Sequence, residues 1–227
     1  MLKRGLLVVL ALAVAAVGGT WVYLNVLRDD APSRLSLSDD EDGAGRSSGA
    51  TRRDGIEGRW VPTAESQVGY RVKEVIFAQA AEGVGRTSEV DGHLLIEATT
   101  VREASFVADL RTLKSDEAQR DNQVQGRILD TANHPTATFE LTSPIDLGST
   151  PDVGAVVTKA VTGDLTIRST KRPVTFDLQA KYTGSTIEVA GAIPIVFAEW
   201  NIPNPSNFVA ATEDRGLLEF LLVLEPA

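Results

Sequence analysis

From Ser66 onward one pattern dominates the chain: apolar and polar side chains alternate with a period of two. In residues 67–73, Val68, Tyr70 and Val72 fall on one face and Gln67, Arg71 and Lys73 on the other. Val90, Gly92, Leu94 and Ile96 alternate with Asp91, His93, Leu95 and Glu97, and Val161, Gly163, Leu165 and Ile167 with Thr162, Asp164, Thr166 and Arg168. Val174, Phe176, Leu178 and Ala180 repeat the spacing, and the stretches "STIEVAGAIPIVF" and "RGLLEFLLVLEP" add two more strands. Successive strand residues point to opposite faces, so this pattern buries one face and wets the other. Breaks such as "STPDVGA", "RSTKRP" and "YTGS" separate the runs, and no βαβ rhythm appears. The expected fold is all-β: an antiparallel barrel or sandwich of about eight strands.

Residues 115–129, "SDEAQRDNQVQGRIL", depart from the alternation. Ser115 has the chemistry of a helix N-cap, Asp116 and Glu117 suit the first turn, and Gly126 suits the end. The reading is one short polar helix, too poor in apolar residues to be a core helix, lying over the barrel or across one end.

The N-terminal part has a different character. Lys3 and Arg4 precede an uncharged run from Gly5 to Leu27. As a helix that run spans about 34 Å, enough for a hydrocarbon core of ~30 Å. Basic residues before it and Asp29–Asp30 after it place the N-terminus in the cytoplasm, with Trp21 and Tyr23 at the outer interface. The expectation is a transmembrane signal-anchor over residues 1–27, with membrane contact through residues 5–27. The competing reading is a signal peptide cleaved after Ala11-Leu12-Ala13 or Ala13-Val14-Ala15; the apolar run continues well past both. Residues 28–59 are rich in Ser, Gly, Asp and Arg and read as a disordered, flexible acidic linker. As a coil their end-to-end distance is about 30 Å. Residues 60–227 form the folded domain, long enough for a substantial core. It must be held by packing alone, because the chain has no cysteine.

The domain carries 14 Lys and Arg against 23 Asp and Glu, the wrong field for neutralising phosphates, so nucleic acid is excluded as a partner. The catalytic inventory is thin. His93 and His134 are the two histidines, which leaves a histidine-rich metal site without support. No Gly-x-Ser-x-Gly context surrounds a serine, and Gly83-x-Gly85 does not open a helix after a strand. The expectation is a protein without catalytic residues, metal or cofactor. What remains is the interior of the barrel, which side chains fill or which encloses a small apolar ligand. The face that would line it offers Val68, Tyr70, Val72, Leu94, Ile96, Phe106, Phe139, Leu141, Leu165, Ile167, Phe176 and Leu178.

Four blocks in order resemble the YceI-like family of bacterial envelope proteins over nearly all of residues 60–227. They are "WVPTAESQVGYRV", "VDGHLLIEATTVREASFVADLRTLKS", "QRDNQVQGRILDTANHPTATFELTS" and "VTGDLTIRSTKRPVTFDLQA". The resemblance implies a lipocalin-like antiparallel barrel that binds long apolar chains, such as polyisoprenoids or fatty amides, without catalysis. Together with the anchor, it implies a single-pass protein of the bacterial cytoplasmic membrane with its barrel outside. Arg120, Asp121 and Gln123 would then lie near one end of the cavity, at the ligand head group or as an ion pair closing the barrel. The chain departs from the family pattern at Gln123, where a histidine is usual, and at Ser169, where glycine is common. The rival reading is an envelope interaction or scaffold protein whose barrel is solid. The residues leave the oligomeric state open.

Overall fold

The structure is a computed structural model that describes residues 31–38, 55–76, 79–206 and 210–227. The chain divides into two compact units, Met1–Pro32 and Ser33–Ala227, and every described strand belongs to the second. The predicted membrane segment, Gly5–Leu27, lies outside the described residues. Among those described, no helix is long and apolar enough to cross a membrane.

The described residues form twelve strands: β1 (Gly58–Pro62), β2 (Gln67–Ile76), β3 (Gln79–Thr87), β4 (Val90–Glu97), β5 (Thr100–Asp109), β6 (Lys114–Ser115), β7 (Thr136–Leu141), β8 (Ile145–Asp146), β9 (Val156–Ile167), β10 (Thr170–Tyr182), β11 (Ile187–Val196) and β12 (Ala210–Pro226). Eight of them close a ring in the order β1-β4-β5-β7-β9-β10-β11-β12, because β12 returns to pair with β1. Every pairing is antiparallel; the closing rung sets Trp60 opposite Pro226. The expected all-β barrel of about eight strands is the observed one. The remaining strands extend it: β2 runs along the same long β12, β3 and β6 continue from β2, and β8 pairs with β5.

One residue makes the corner between β1 and β2. The Ser66 hydroxyl donates to the Val223 carbonyl at 3.1 Å and accepts from the Val223 amide at 3.0 Å, in full burial. The Val223 carbonyl also accepts from the Thr63 amide at 2.8 Å, and the hydroxyl gives the Val223 amide its acceptor. Gly92, at φ +141°, pairs with Phe106, and a Cβ there would come within 2.1 Å of the Ser105 carbonyl. Only glycine fits that rung.

The polar element is the expected short helix, but its two ends differ from the pattern. Helix α1 covers Ala118–Gln123 and passes into a π-turn, Val124–Ile128, that contains Gly126 instead of ending at it. Ser115 is not the N-cap: it belongs to β6, and Glu117 holds the cap position with no side-chain hydrogen bond to the helix N-terminus. The Ser115 hydroxyl is engaged with Asp121 at 2.7 Å, and the same carboxylate accepts from the Ser115 amide at 2.8 Å. The tertiary rung between Gly85 and Ser115 wins over the local capping preference.

The folded body also starts before Trp60. Ile56 is core, and the Trp60 indole donates to its carbonyl at 2.8 Å. Within the predicted linker, residues 33–38 hydrogen-bond to the outer wall of the barrel.

Candidate functional site in the barrel lumen

The lumen is closed at the end where β10 turns into β11. Trp60 and Tyr182 meet edge to face there, with ring centroids 6.2 Å apart, and the Tyr182 hydroxyl donates to the Gly184 carbonyl at 2.9 Å. Around the middle of the barrel, Phe139, Phe176 and Phe220 form a chain of edge-to-face contacts at 5.7 and 5.9 Å. This geometry suits the ring quadrupoles. Phe139 lies against Gly163, where a Cβ would come within 2.3 Å of the ring, and Phe220 packs on Gly191. Missing side chains on one strand thus make room for rings from its neighbour.

Between these residues remains a cavity of about 110 Å³. Val68, Leu94, Phe106, Phe139, Leu141, Leu165, Phe176 and Leu178, all on the apolar face read from the sequence, line it. Tyr70, Val72, Ile96 and Ile167 do not: they pack in or against the surrounding core. The sequence reading omitted Val189, Ile193, Leu218, Phe220, Leu222 and Leu224, which complete the wall from β11 and β12. Their signal was present, since alternate positions of "RGLLEFLLVLEP" are apolar. However, leucines also occupy the opposite face, so period two did not single out one side.

The polar residues expected near one end stand elsewhere. Arg120 pairs with Asp116 one helical turn away and with Glu74 of β2 at 3.3 Å. Asp121 is bonded to Ser115. Gln123 lines an open polar cleft of about 570 Å³ with Gln119, Asn122, Arg127 and Ser206. None of the three borders the lumen cavity. Arg120 and Asp121 tie α1 to β2 and β6, strands that lie outside the eight-strand ring.

Tyr70, beside the Ser115 hydroxyl, makes no well-formed hydrogen bond among the described residues, and its own hydroxyl is buried. Burial pushes its pKa well above the usual phenol range; nearby Arg120 and the Ser115 hydroxyl oppose the shift, and Asp121 adds to it. His93 lies 3.4 Å from Glu103, and the His134 imidazole shares a 2.9 Å hydrogen bond with Ser169, both at the surface. Among the described residues no group of three or more His, Asp or Glu side chains could hold a metal ion. Chemically, the lumen offers dispersion contacts and exclusion of water, and nothing that ionises.

Comparison with known proteins places this architecture. The chain matches the family model of the YceI-like domain over residues 61–224. No protein of curated function matches it significantly. Among solved structures it is similar to a polyisoprenoid binding domain from Saccharophagus degradans implicated in plant cell wall breakdown. That match has a TM-score of 0.61 and 16% identity, covering 76% of this chain and 100% of the other. It is also similar to BcnA from Burkholderia cenocepacia, with a TM-score of 0.57 and 21% identity over 72% of this chain and 98% of the other. At such identities the likeness is one of fold. The family match, which runs from β1 into β12 and includes every ring strand, carries the assignment: the chain belongs to the YceI-like family.

Proposed function

We propose that this protein binds or carries a long-chain apolar lipid, polyisoprenoid in character, inside its barrel, without catalysing a reaction. The barrel would lie outside the bacterial cytoplasmic membrane, tethered through residues 5–27. One observation carries the reading: a closed barrel encloses a cavity walled by aliphatic and aromatic side chains. The similarity to a polyisoprenoid binding domain supports it. Each CH₂-sized group removed from water contributes about 0.8 kcal/mol, so a chain of isoprene units gains several kcal/mol per unit or two.

The volume sets a condition. A cavity of about 110 Å³ is smaller than the ~300–1,000 Å³ of typical ligand pockets. A long chain therefore enters only if Phe139, Phe176 or Phe220 changes rotamer and opens the space the rings now fill. The same observation favours a second reading, a solid barrel that serves as an envelope interaction or scaffold protein.

Mass spectrometry of an organic extract of the purified full-length chain separates the two. A stoichiometric long-chain lipid is the expected result. Repeated absence of lipid, together with no uptake of an added polyprenol, overturns lipid binding and leaves the solid barrel. Intact-mass measurement on a membrane extract tests the tether, which requires residues 5–27 to remain attached.

A further inference from the structure

The outer wall of the barrel contains charges that are buried. On β12, Leu218, Phe220, Leu222 and Leu224 line the lumen, so Glu219 points outward, yet it is only 2% exposed. Arg71, on the outer face of β2, is 3% exposed and holds Glu219 at 3.0 Å; Arg86 of β3 holds the same carboxylate at 2.9 Å. A second pair, Lys181 of β10 and Glu188 of β11, stands 3.7 Å apart with Lys181 4% exposed. Taking charges out of water is costly unless further hydrogen bonds complete them, and at both places residues 33–38 complete them. The Ser33 carbonyl accepts from Arg71 at 3.2 Å and also from Arg86. Ser38 donates its amide to Glu188 at 2.9 Å and its hydroxyl at 2.7 Å, while Lys181 donates to the Ser38 carbonyl and hydroxyl.

Register shows what lies between the two anchors. Successive outward rungs of β11 and β12 are Glu188 with Val223, Ala190 with Leu221, and Ala192 with Glu219. The middle rung is apolar, and Ala190 is buried on it. The segment between the anchors, Arg34-Leu35-Ser36-Leu37, alternates, with Leu35 and Leu37 half-buried. Lengths agree too. Crossing two strands at ~4.8 Å and four residues along them is a diagonal of about 16 Å, and five extended steps cover ~17 Å.

We propose that this outer groove is a binding site for an extended peptide with polar ends and alternating leucines, and that its occupant is Ser33–Ser38 of the same chain. The strap withdraws these residues from the tether.

Hydrogen exchange on the full chain in detergent micelles, followed by mass spectrometry over a range of protein concentrations, tests this. Amides between Leu35 and Ser38 are expected to exchange at least ~10-fold slower than a free chain, independently of concentration. In L35D/L37D they return to free-chain rates while β11 and β12 stay protected. K181M/E188L, which removes the anchor and keeps an apolar rung, is expected to free Ser38 in the same way. Free-chain exchange in the parent overturns the proposal, as does undiminished protection in both variants. Protection that rises with concentration overturns the intramolecular occupant in favour of a second copy. Lipid content does not enter the readout, so failure of the lipid-binding reading is distinguishable from failure of this one.

Discussion

Among the described non-glycine residues with positive φ, two are adjacent in one hairpin. Arg168 and Ser169 form the two-residue turn between β9 and β10, with φ +49° and +58°. This is the left-handed region that such hairpins require and that glycine supplies at least cost. Ser169→Gly is expected to stabilise the protein by about 0.5–1 kcal/mol, read as a rise of a few degrees in Tm, because the left-handed cost of ~1–2 kcal/mol exceeds the entropy glycine adds to the unfolded chain. The surface hydrogen bond to His134 is too exposed to reverse the sign. Tyr70 gives a second prediction. A buried hydroxyl without a partner costs about 1–3 kcal/mol, so Tyr70→Phe is expected to be neutral or stabilising by about 1 kcal/mol at pH 7. Its folded pKa is raised, chiefly by burial. The contribution is therefore fully present below the unfolded value of about 10 and is lost as pH rises beyond it. Denaturant titrations between pH 8 and 11 should show a shallower alkaline decline in the Phe variant; identical slopes would refute the assignment to Tyr70.

At the scale of elements, the rungs where rings meet glycines govern the lumen. Gly163→Ala places a methyl against the Phe139 ring and within 2.6 Å of the Glu140 carbonyl. Overpacking of this kind costs about 1–3 kcal/mol, measurable as a lower denaturation midpoint. Phe176 touches both other rings, and Phe176→Ala is expected to destabilise by about 3–5 kcal/mol while enlarging the cavity. If lipid occupies the lumen, the same variant takes up an added polyprenol faster than the parent, in a fluorescence-displacement assay. A solid barrel shows the stability loss without the uptake. Helix α1 belongs to this scale as well. Its two-turn length comes from the β3–β6 rung that claims Ser115 and from the π-turn at its C-terminal end, both tertiary outcomes that capping preference could not anticipate.

For the whole molecule, the buried charges on the outer wall couple the barrel to the chain that precedes it. Glu219→Ala leaves buried Arg71 with Glu82 as its remaining carboxylate partner among the described residues and takes the carboxylate from Arg86. Removing one partner of a buried pair costs about 3–5 kcal/mol, and calorimetry of the full chain should register it as the largest loss among the outer-face substitutions. Replacing both partners, as in R71M/E219L, is expected to recover part of that loss, since both buried charges are gone while the partly exposed Glu82 and Arg86 turn to water for the partners they lose.

The alternation from Val68 to Leu224 determined the class of fold by itself, because a period of two can bury a surface only as a sheet. It also placed Val68, Leu94, Phe139 and Phe176 on the inner wall. Motif resemblance in four ordered blocks was enough to indicate the family. Tertiary structure alone decided how much of the interior is empty, since ring rotamers and cross-strand glycines set that volume and neither has a period. It likewise decided that Arg120 and Asp121 brace α1, because their partners Glu74 and Ser115 are fixed by pairing and not by spacing. The segment "SRLSLS" carries its own short alternation, yet nothing local distinguishes it from a solvated tether. Its destination became visible only once Arg71, Glu219, Lys181 and Glu188, on four neighbouring strands, stood on one outer face, with Ser33 bonded to Arg71 and Ser38 to Lys181 and Glu188.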